Sequence, residues 1–319
     1  MNSIKHTLSA IALSLAALSS HAAAPAVGTQ APGYFRLQLG DFEVTALSDG
    51  AVDLPMDKLM HAKPEDVLKS LKHDFLSTPT TTSVNGFLVN TGAKLILIDA
   101  GAGTLFGPTT GKLLANLQAA GYKPEQVDEI YITHMHPDHV GGLAANGQRL
   151  FPNATVRVDQ ADVDFWLSNA QMDKAPAEAK GFFQGAMASL KPYVDAGALK
   201  PFGASGELSP GISAVVTGGH TPGHSYYVVE SKGVKMAVWG DLIHVGAYQF
   251  QHPGQSIQFD SDGKTAIAAR KKAFDAAVAN GELAAGAHLS FPGLGHLRKM
   301  GSGYEWIPLN YPGAVPAKP

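Results

Sequence analysis

Cysteine is absent from all 319 residues, so the chain has no disulfide framework, no thiolate nucleophile and no sulfur ligand for a metal. Charge is sparse too: Asp, Glu, Lys and Arg make up 16% of the residues and the formal net charge is −3. That balance gives neither the basic footprint of a nucleic-acid binder nor a polybasic membrane patch. Beyond the first two dozen positions no apolar run approaches the roughly 20 residues a membrane-spanning helix needs. A Gly-x-Ser-x-Gly elbow is also missing, which removes the serine hydrolases built on that turn. What these absences leave is a sizeable core and a small, neutral partner molecule.

The start of the chain has its own pattern. Lys5 and His6 precede an apolar run from Leu8 to Leu18, and small residues follow at Ala22, Ala23 and Ala24. Such an order predicts a secretory signal peptide over residues 1–24, cut after Ala22 or Ala24, with export to the periplasm or the exterior. Residues 25–319 are then expected to form a single domain.

Periodicity divides that domain. Residues 34–39 and 42–47 read as a hairpin around Gly40 and Asp41, and Val67, Leu68, Leu71 and Phe75 recur at helical spacing after Pro64. Apolar runs at 85–90 and 94–99 predict buried strands, 111–120 a helix closed by Gly121, and 127–133 a further strand. A strand at 155–158 leads to Asp159 as the N-cap of a helix through Leu167, and a second helix is expected over 176–190, with Pro192 just past its end. Strands at 212–217, 225–230 and 234–239, a helix at 265–280 and a run at 283–287 complete the pattern. Strands, helices and strands recur in both halves, an α/β arrangement of layers.

Residues 131–142 read Tyr-Ile-Thr-His-Met-His-Pro-Asp-His-Val-Gly-Gly and place three histidines and a carboxylate within six positions. His134 and His136, two apart, share one face of an extended segment, and Pro137 turns the chain before Asp138 and His139. One tight turn can therefore feed two adjacent ions. Imidazole nitrogen and carboxylate oxygen suit zinc, cobalt or manganese. A lone H-x-H is usually a polar surface loop, but H-x-H-x-D-H directly after an apolar strand points to metal.

Three more blocks follow: Gly-His-Thr-Pro-Gly-His at 219–224, Val-Trp-Gly-Asp-Leu-Ile-His at 238–244 and His-Leu-Ser-Phe-Pro-Gly-Leu-Gly-His at 288–296. Together the four resemble the metallo-β-lactamase superfamily, and within it the branch of methyl parathion hydrolase and its lactone- and arylester-hydrolysing relatives. The resemblance implies a four-layer αββα sandwich holding two divalent ions, zinc first, with cobalt or manganese as alternatives. It implies that His134, His136 and His220 hold one ion, that Asp138, His139 and His288 hold the other, and that Asp241 bridges both. Asp99 is implied as a carboxylate orienting a ligand histidine, with a plain turn-forming Asp as the alternative. His224, His252 and His296 match no metal position and are expected to cap turns or support the ligands; His61 and His73 are expected on the surface. A homodimer is implied by resemblance alone.

Two cations sharing a water lower its pKa toward neutrality and polarise a carbonyl or phosphoryl oxygen, so no serine triad is required. Asp138 or Asp241 is the expected proton carrier to the leaving group. Aligned with the branch, Phe106, Trp166 and Phe182 fall on an aromatic substrate pocket, with core packing as the alternative and for Phe182 the favoured one, and Leu59, His244, Ile257 and Phe259 fall on further pocket positions. There the methyl parathion hydrolase pattern has an arginine at the first and leucines at the second and fourth. His244 beside Phe259 instead points to lactones and aryl esters such as dihydrocoumarin. A phosphotriesterase, an acyl-homoserine lactonase and a non-catalytic metal-binding protein are the alternatives. A glyoxalase II-like thioesterase needs a longer tail than the one after Gly301, and true β-lactamases of the superfamily lack the bridging aspartate.

Overall fold

Alternation along one short strand dictates the layering. Ile96 and Ile98 fall on one face of the strand Leu95–Ile98 and Leu95 and Leu97 on the other, all buried, so cover is needed on both sides. In the computed structural model, which describes residues 24–312, two sheets packed face to face supply it, with helices on their outer faces. The first strands are β1 (Tyr34–Leu39), β2 (Phe42–Leu54), β3 (Thr80–Asn90), β4 (Leu95–Ile98), β5 (Glu129–Tyr131), β6 (Ala144–Ala145), β7 (Gln148–Arg149) and β8 (Thr155–Arg157). Of these β6 and β7 make a separate ribbon, and the rest form a sheet in the order β1-β2-β3-β4-β5-β8, parallel from β4 onward. The second sheet contains β9 (Gly206–Ser209), β10 (Ile212–Val216), β11 (Ser225–Ser231), β12 (Val234–Val238), β13 (Leu283–Ala285), β14 (Leu294–Met300) and β15 (Gly303–Pro308), paired in sequence order with β12 and β13 parallel.

The helices are α1 (Met56–Leu59), α2 (Pro64–His73), α3 (Leu113–Ala119), α4 (Pro137–Val140), α5 (Gln160–Trp166), α6 (Asn169–Lys174), α7 (Lys180–Asp195), α8 (Gly246–Gln249) and α9 (Gly263–Asn280). Between the sheets, Val44, Phe87, Ile96 and Ile98 meet Ile212, Tyr227, Val229 and Met236. The outer face of the first sheet offers Leu88, Leu97, Ile130 and Val156 to α3 and α7, and that of the second offers Ala237, Ala284 and Leu297 to α9. This is the expected αββα sandwich, and the described residues from Pro32 on form one compact unit. Among the described residues no helix is long and apolar enough to cross a membrane. The expected signal peptide, residues 1–24, lies outside the described residues except for Ala24.

Several boundaries differ from the sequence expectation. Helix α7 starts at Lys180, after a 3-10 turn at Ala177–Ala179, and runs to Asp195, so Pro192 lies within it. A prolyl nitrogen has no hydrogen to give the preceding turn. The fully buried Tyr193, whose hydroxyl donates to Leu143 O at 3.1 Å, nonetheless anchors the last turn. Helix α2 ends at His73, and Phe75, expected on its apolar face, takes φ 59° and is 98% exposed. The chain reverses there, with Leu76 N–H bonded to Leu71 O at 2.8 Å. Strand β3 begins at Thr80 instead of residue 85, and the β14–β15 hairpin carries no expectation from sequence.

Candidate metal centre

Every candidate ligand stands just past the end of a strand. The loop after β5 carries His134 and His136, and His220, Asp241 and His288 follow β10, β12 and β13. His136 is the extended N-cap residue of α4 and Pro137 its first residue, so Asp138 and His139 come round in one turn, with His139 N–H on His136 O at 3.0 Å. Two approaches require glycine. At Gly240 and Gly219, both with positive φ, a Cβ would stand 2.7 Å from Thr133 Cβ and 2.4 Å from Ala266 N respectively.

Asp241 is the hub. Its Oδ2 lies 3.1 Å from His220 Nε2 and 3.5 Å from His134 Nε2, and His136 Nδ1 joins them 3.0 Å from His220 Nε2. Its Oδ1 lies 3.1 Å from both His139 Nε2 and His288 Nε2, with Asp138 Oδ2 at 3.7 and 3.5 Å from those nitrogens. One carboxylate oxygen thus faces each set of three side chains. Donors about 2.0–2.1 Å from a zinc-sized ion stand roughly 3.3 Å apart in a tetrahedron, so the spacing suits an ion at each oxygen. His134 Nε2, His139 Nε2 and Asp241 Oδ1 are buried and make no hydrogen bond within the protein, a deficit that a coordinated cation removes.

The outward nitrogens are held as well. His139 Nδ1 lies 2.8 Å from Asp99 Oδ2, His220 Nδ1 2.8 Å from Asp260 Oδ1, His288 Nδ1 2.9 Å from Ser83 O and His134 Nδ1 3.1 Å from Thr133 Oγ1. An acceptor at Nδ1 keeps the hydrogen there and leaves Nε2 bare toward the centre, the tautomer a metal needs. The carboxylate of Asp99 is therefore an orienting group, and its Oδ2 also takes the Thr133 hydroxyl at 2.8 Å. His224 supports the hub from behind: its Nε2 accepts the Asp241 N–H at 3.1 Å while its Nδ1 bonds Thr217 Oγ1 at 2.8 Å. His61 and His73 are exposed, and so is His252, while His296 Nδ1 caps Glu282 O at 3.2 Å.

Charge follows this geometry. Burial desolvates Asp241, yet His288, His139 and His134 around it hold its carboxyl well below the usual range. Burial first, and then the neighbouring imidazoles, His139 and His220 among them, push His134 and His136 well down against the pull of Asp241, leaving neutral imidazoles. Against the same burial, Asp241 and Asp260 raise His220 to about 9, and Asp241 and Asp99 raise His139. In the protein alone, protons on these rings offset the carboxylates, and a divalent cation can replace them. Asp162 has a further role that the sequence did not signal. It accepts from Met135 N–H, Gly223 N–H and the Thr221 hydroxyl at 2.8, 2.7 and 3.0 Å, tying the two histidine loops together, and burial raises it to about 6.

A cavity of about 420 Å³ opens on the hub, lined by Phe106, Phe182, His244 and Phe259, with Val52 and Leu54, beside His136, Asp138, Asp241 and His288. Four of the seven expected pocket residues are thus on its wall. Trp166, Leu59 and Ile257 are not. The Trp166 ring sits 5.1 Å from that of His136 and packs among Phe165 and Phe183 in the core. Ile257, fully buried, pairs with Met60 across a β-bridge and packs with Leu59 in a core of Met56, Val67 and Tyr248. Alignment placed these three on the pocket wall, but Trp166 packs into the core beside His136, and Leu59 and Ile257 into a separate cluster. Asp260 and Arg270 also escape sequence reasoning: neither lies in a motif.

The chain is similar to the crystal structure of hydrolase AbOPH in the beta-lactamase superfamily, with 39% identity and a TM-score of 0.85 over 89% of this chain and 100% of that one. It is similar to AidC, a dizinc quorum-quenching lactonase solved with a product, N-hexanoyl-L-homoserine, with 29% identity and a TM-score of 0.81 over 88% and 99% of the two chains. Among curated sequences, the uncharacterized protein YobT of Bacillus subtilis (strain 168) is 28% identical over 162 residues, which is 50% of this chain and 62% of YobT, so the chain spans less than two thirds of that relative. The family pattern described as metallo-beta-lactamase superfamily matches residues 79–278. The chain belongs to the metallo-beta-lactamase superfamily.

Proposed function

We propose that the protein is a dinuclear metal-dependent hydrolase of small neutral esters, with lactones and aryl esters ahead of phosphotriesters, of the branch that includes methyl parathion hydrolase. The observation that carries this reading is Asp241, with one oxygen toward His134, His136 and His220, the other toward Asp138, His139 and His288, and an aromatic cavity beside it. Similarity to a dizinc lactonase supports it. The nitrogen and oxygen donors suit zinc, cobalt or manganese. When bound, two such ions supply Lewis acidity and lower the pKa of water toward neutrality.

This chain's residues do the remaining work. Phe106, Phe182 and Phe259 line the cavity and give it an apolar surface that suits a flat aromatic body and excludes water. Asp241 is 3% exposed with a histidine set facing each oxygen, whereas Asp138 is 14% exposed on the cavity wall and is the better placed to take a proton and pass it to the leaving group. His244 and Phe259, whose ring centroids are 5.9 Å apart, narrow the cavity and favour a planar carbonyl centre over a phosphotriester with three substituents. A second reading, an acyl-homoserine lactonase, is favoured by a larger cleft of about 1160 Å³ that shares His244 and His288 and runs past Met56, Leu76 and Trp306. Export of the chain, and a homodimer, belong to the same proposal and rest on the leader pattern and on resemblance.

Metal analysis and a substrate panel test the reading on one preparation. Two ions per chain are expected, with kcat/KM for dihydrocoumarin or phenyl acetate above that for methyl parathion. One ion or fewer, with activity indifferent to chelator, sinks the dinuclear site. Methyl parathion leading the panel overturns the pocket reasoning, and metal binding without turnover of any ester makes the protein a metal-binding protein instead.

A further inference from the structure

His244 differs from the other imidazoles around Asp241. Its Nε2 lies 3.0 Å from Asp241 Oδ2, as close as that of His220 at 3.1 Å. By distance alone, Asp241, His244 and His288 could hold an ion of their own. The ring is buried and fixed. The N–H groups of His244 and Val245 both donate to Gln249 Oε1, at 2.8 and 3.0 Å, and the imidazole stacks on His288 with centroids 5.2 Å apart and planes 19° from parallel.

The contrast lies in the second nitrogen. His134, His139, His220 and His288 each have an oxygen acceptor at Nδ1 that keeps a hydrogen there and leaves Nε2 free for a cation. His244 Nδ1 is buried with no partner. A hydrogen on it would be an orphaned donor and would press the Nε2 lone pair against a carboxylate oxygen. A hydrogen on Nε2 instead makes a charge-assisted bond to Oδ2 and leaves one acceptor, in place of a donor and a lone-pair repulsion, unsatisfied.

We propose that His244 carries its hydrogen on Nε2 and donates it to Asp241 Oδ2, which makes it a positioning residue for the bridging carboxylate and excludes it from the ligand set. The inference deepens the dinuclear reading and rests on Asp241 as its bridge. Oδ2 is then shared between a hydrogen bond and the His134, His136 and His220 set, whereas Oδ1 faces its set without such a donor. The two halves of the centre are thereby made unequal by a residue of the cavity wall.

Long-range 1H–15N spectra of histidine-labelled protein, metal-free and zinc-loaded, read the tautomer directly, with the His244 signals assigned by their absence in His244→Leu. A protonated Nε2 and bare Nδ1 in both states are expected for His244; a protonated Nδ1 with bare Nε2 in the zinc-loaded protein overturns the proposal. Metal titration gives a second arm. His244→Leu keeps two ions per chain, each within about tenfold of the wild-type affinity, the smaller loss typical of a supporting partner. Loss of one ion in that variant makes His244 a ligand and ends the proposal. Should wild type bind no metal at all, the dinuclear reading fails, while the spectrum of the metal-free protein still decides the His244 tautomer.

Discussion

Replacing Asp260 by Asn removes a charge while keeping a shape. The carboxylate is fully buried; its Oδ1 is 2.8 Å from His220 Nδ1 and its Oδ2 accepts the Ile257 N–H at 3.1 Å. Whichever way the Asn amide turns, its NH2 must face one of those two N–H groups. A hydrogen bond to a charged group contributes about 1.5–3 kcal/mol and a neutral one about 1, so roughly 1–2 kcal/mol of support for His220 is lost. At about 1.4 kcal/mol per tenfold, the ion held by His134, His136 and His220 should bind about 10-fold more weakly, at the lower edge of the roughly 10–100-fold seen for such supporting partners. The other ion should stay within about threefold, because Asp260 bonds none of Asp138, His139 and His288. Asp99→Asn gives a contrasting control. Its Oδ2 takes both His139 Nδ1 and the Thr133 hydroxyl next to His134, so both ions should weaken. Stepwise competition with a chromophoric chelator separates the two affinities. Equal weakening of both ions by Asp260→Asn, or none, refutes the assignment of His220 to one ion.

Two further outcomes follow from buried groups behind the centre. Arg270 is fully buried and donates to the carbonyls of Leu242, Pro253 and Gln255; Arg270→Met leaves these unpaired and should cost about 3–5 kcal/mol in urea unfolding, and a loss below about 1 contradicts the role. Asp162, raised from 3.8 to about 6 by burial, keeps its proton to higher pH when folded than when unfolded, so its contribution to stability falls as pH rises from about 4 to about 6, by about 3 kcal/mol at most. Asp162→Asn lacks that slope, and parallel urea titrations at pH 4 and pH 7 should show wild type losing ground to the variant; an unchanged difference shows that Asp162 is ionised throughout.

Periodicity explains which elements could be read in advance. Strand β4, buried at all four positions, announces cover on both faces, and Asp159 marks the start of α5 because its carboxylate accepts the Ala161 N–H at 2.8 Å. The β14–β15 hairpin sits at a sheet edge and exposes Arg298, Lys299 and Met300, so its period-2 signal fades into what looks like a polar tail. Thr80, Thr81 and Thr82 open β3 with the expected buried-exposed-buried alternation, but threonine on both faces hides it. Pro192 misleads for another reason: the tertiary packing of Tyr193 against Leu143 carries α7 through a residue that local propensity reads as a stop.

The centre divides along similar physical lines. A turn that feeds two cations must concentrate donors, so His134, His136, Asp138 and His139 stand out within six positions. An outer acceptor needs only one oxygen, and it can come from anywhere: Asp260 is 40 residues from His220, and Ser83 is 205 from His288. These partners have no sequence signature, yet they set the tautomers on which coordination depends. They also bind the cavity wall to the metal centre. Arg270 pins the carbonyls of Leu242, beside Asp241, and of Gln255, on the loop that continues to Phe259 and Asp260. Gln249 bonds the same Gln255 carbonyl at 3.3 Å and the His244 N–H at 2.8 Å. Phe259 on the wall and Asp260 behind His220 are adjacent in the chain and share one anchorage. A substitution that widens the cavity at Phe259 is therefore expected to weaken the ion on the His220 side as well as to change substrate preference, and a Phe259→Ala variant with wild-type metal affinity at both sites would refute that link.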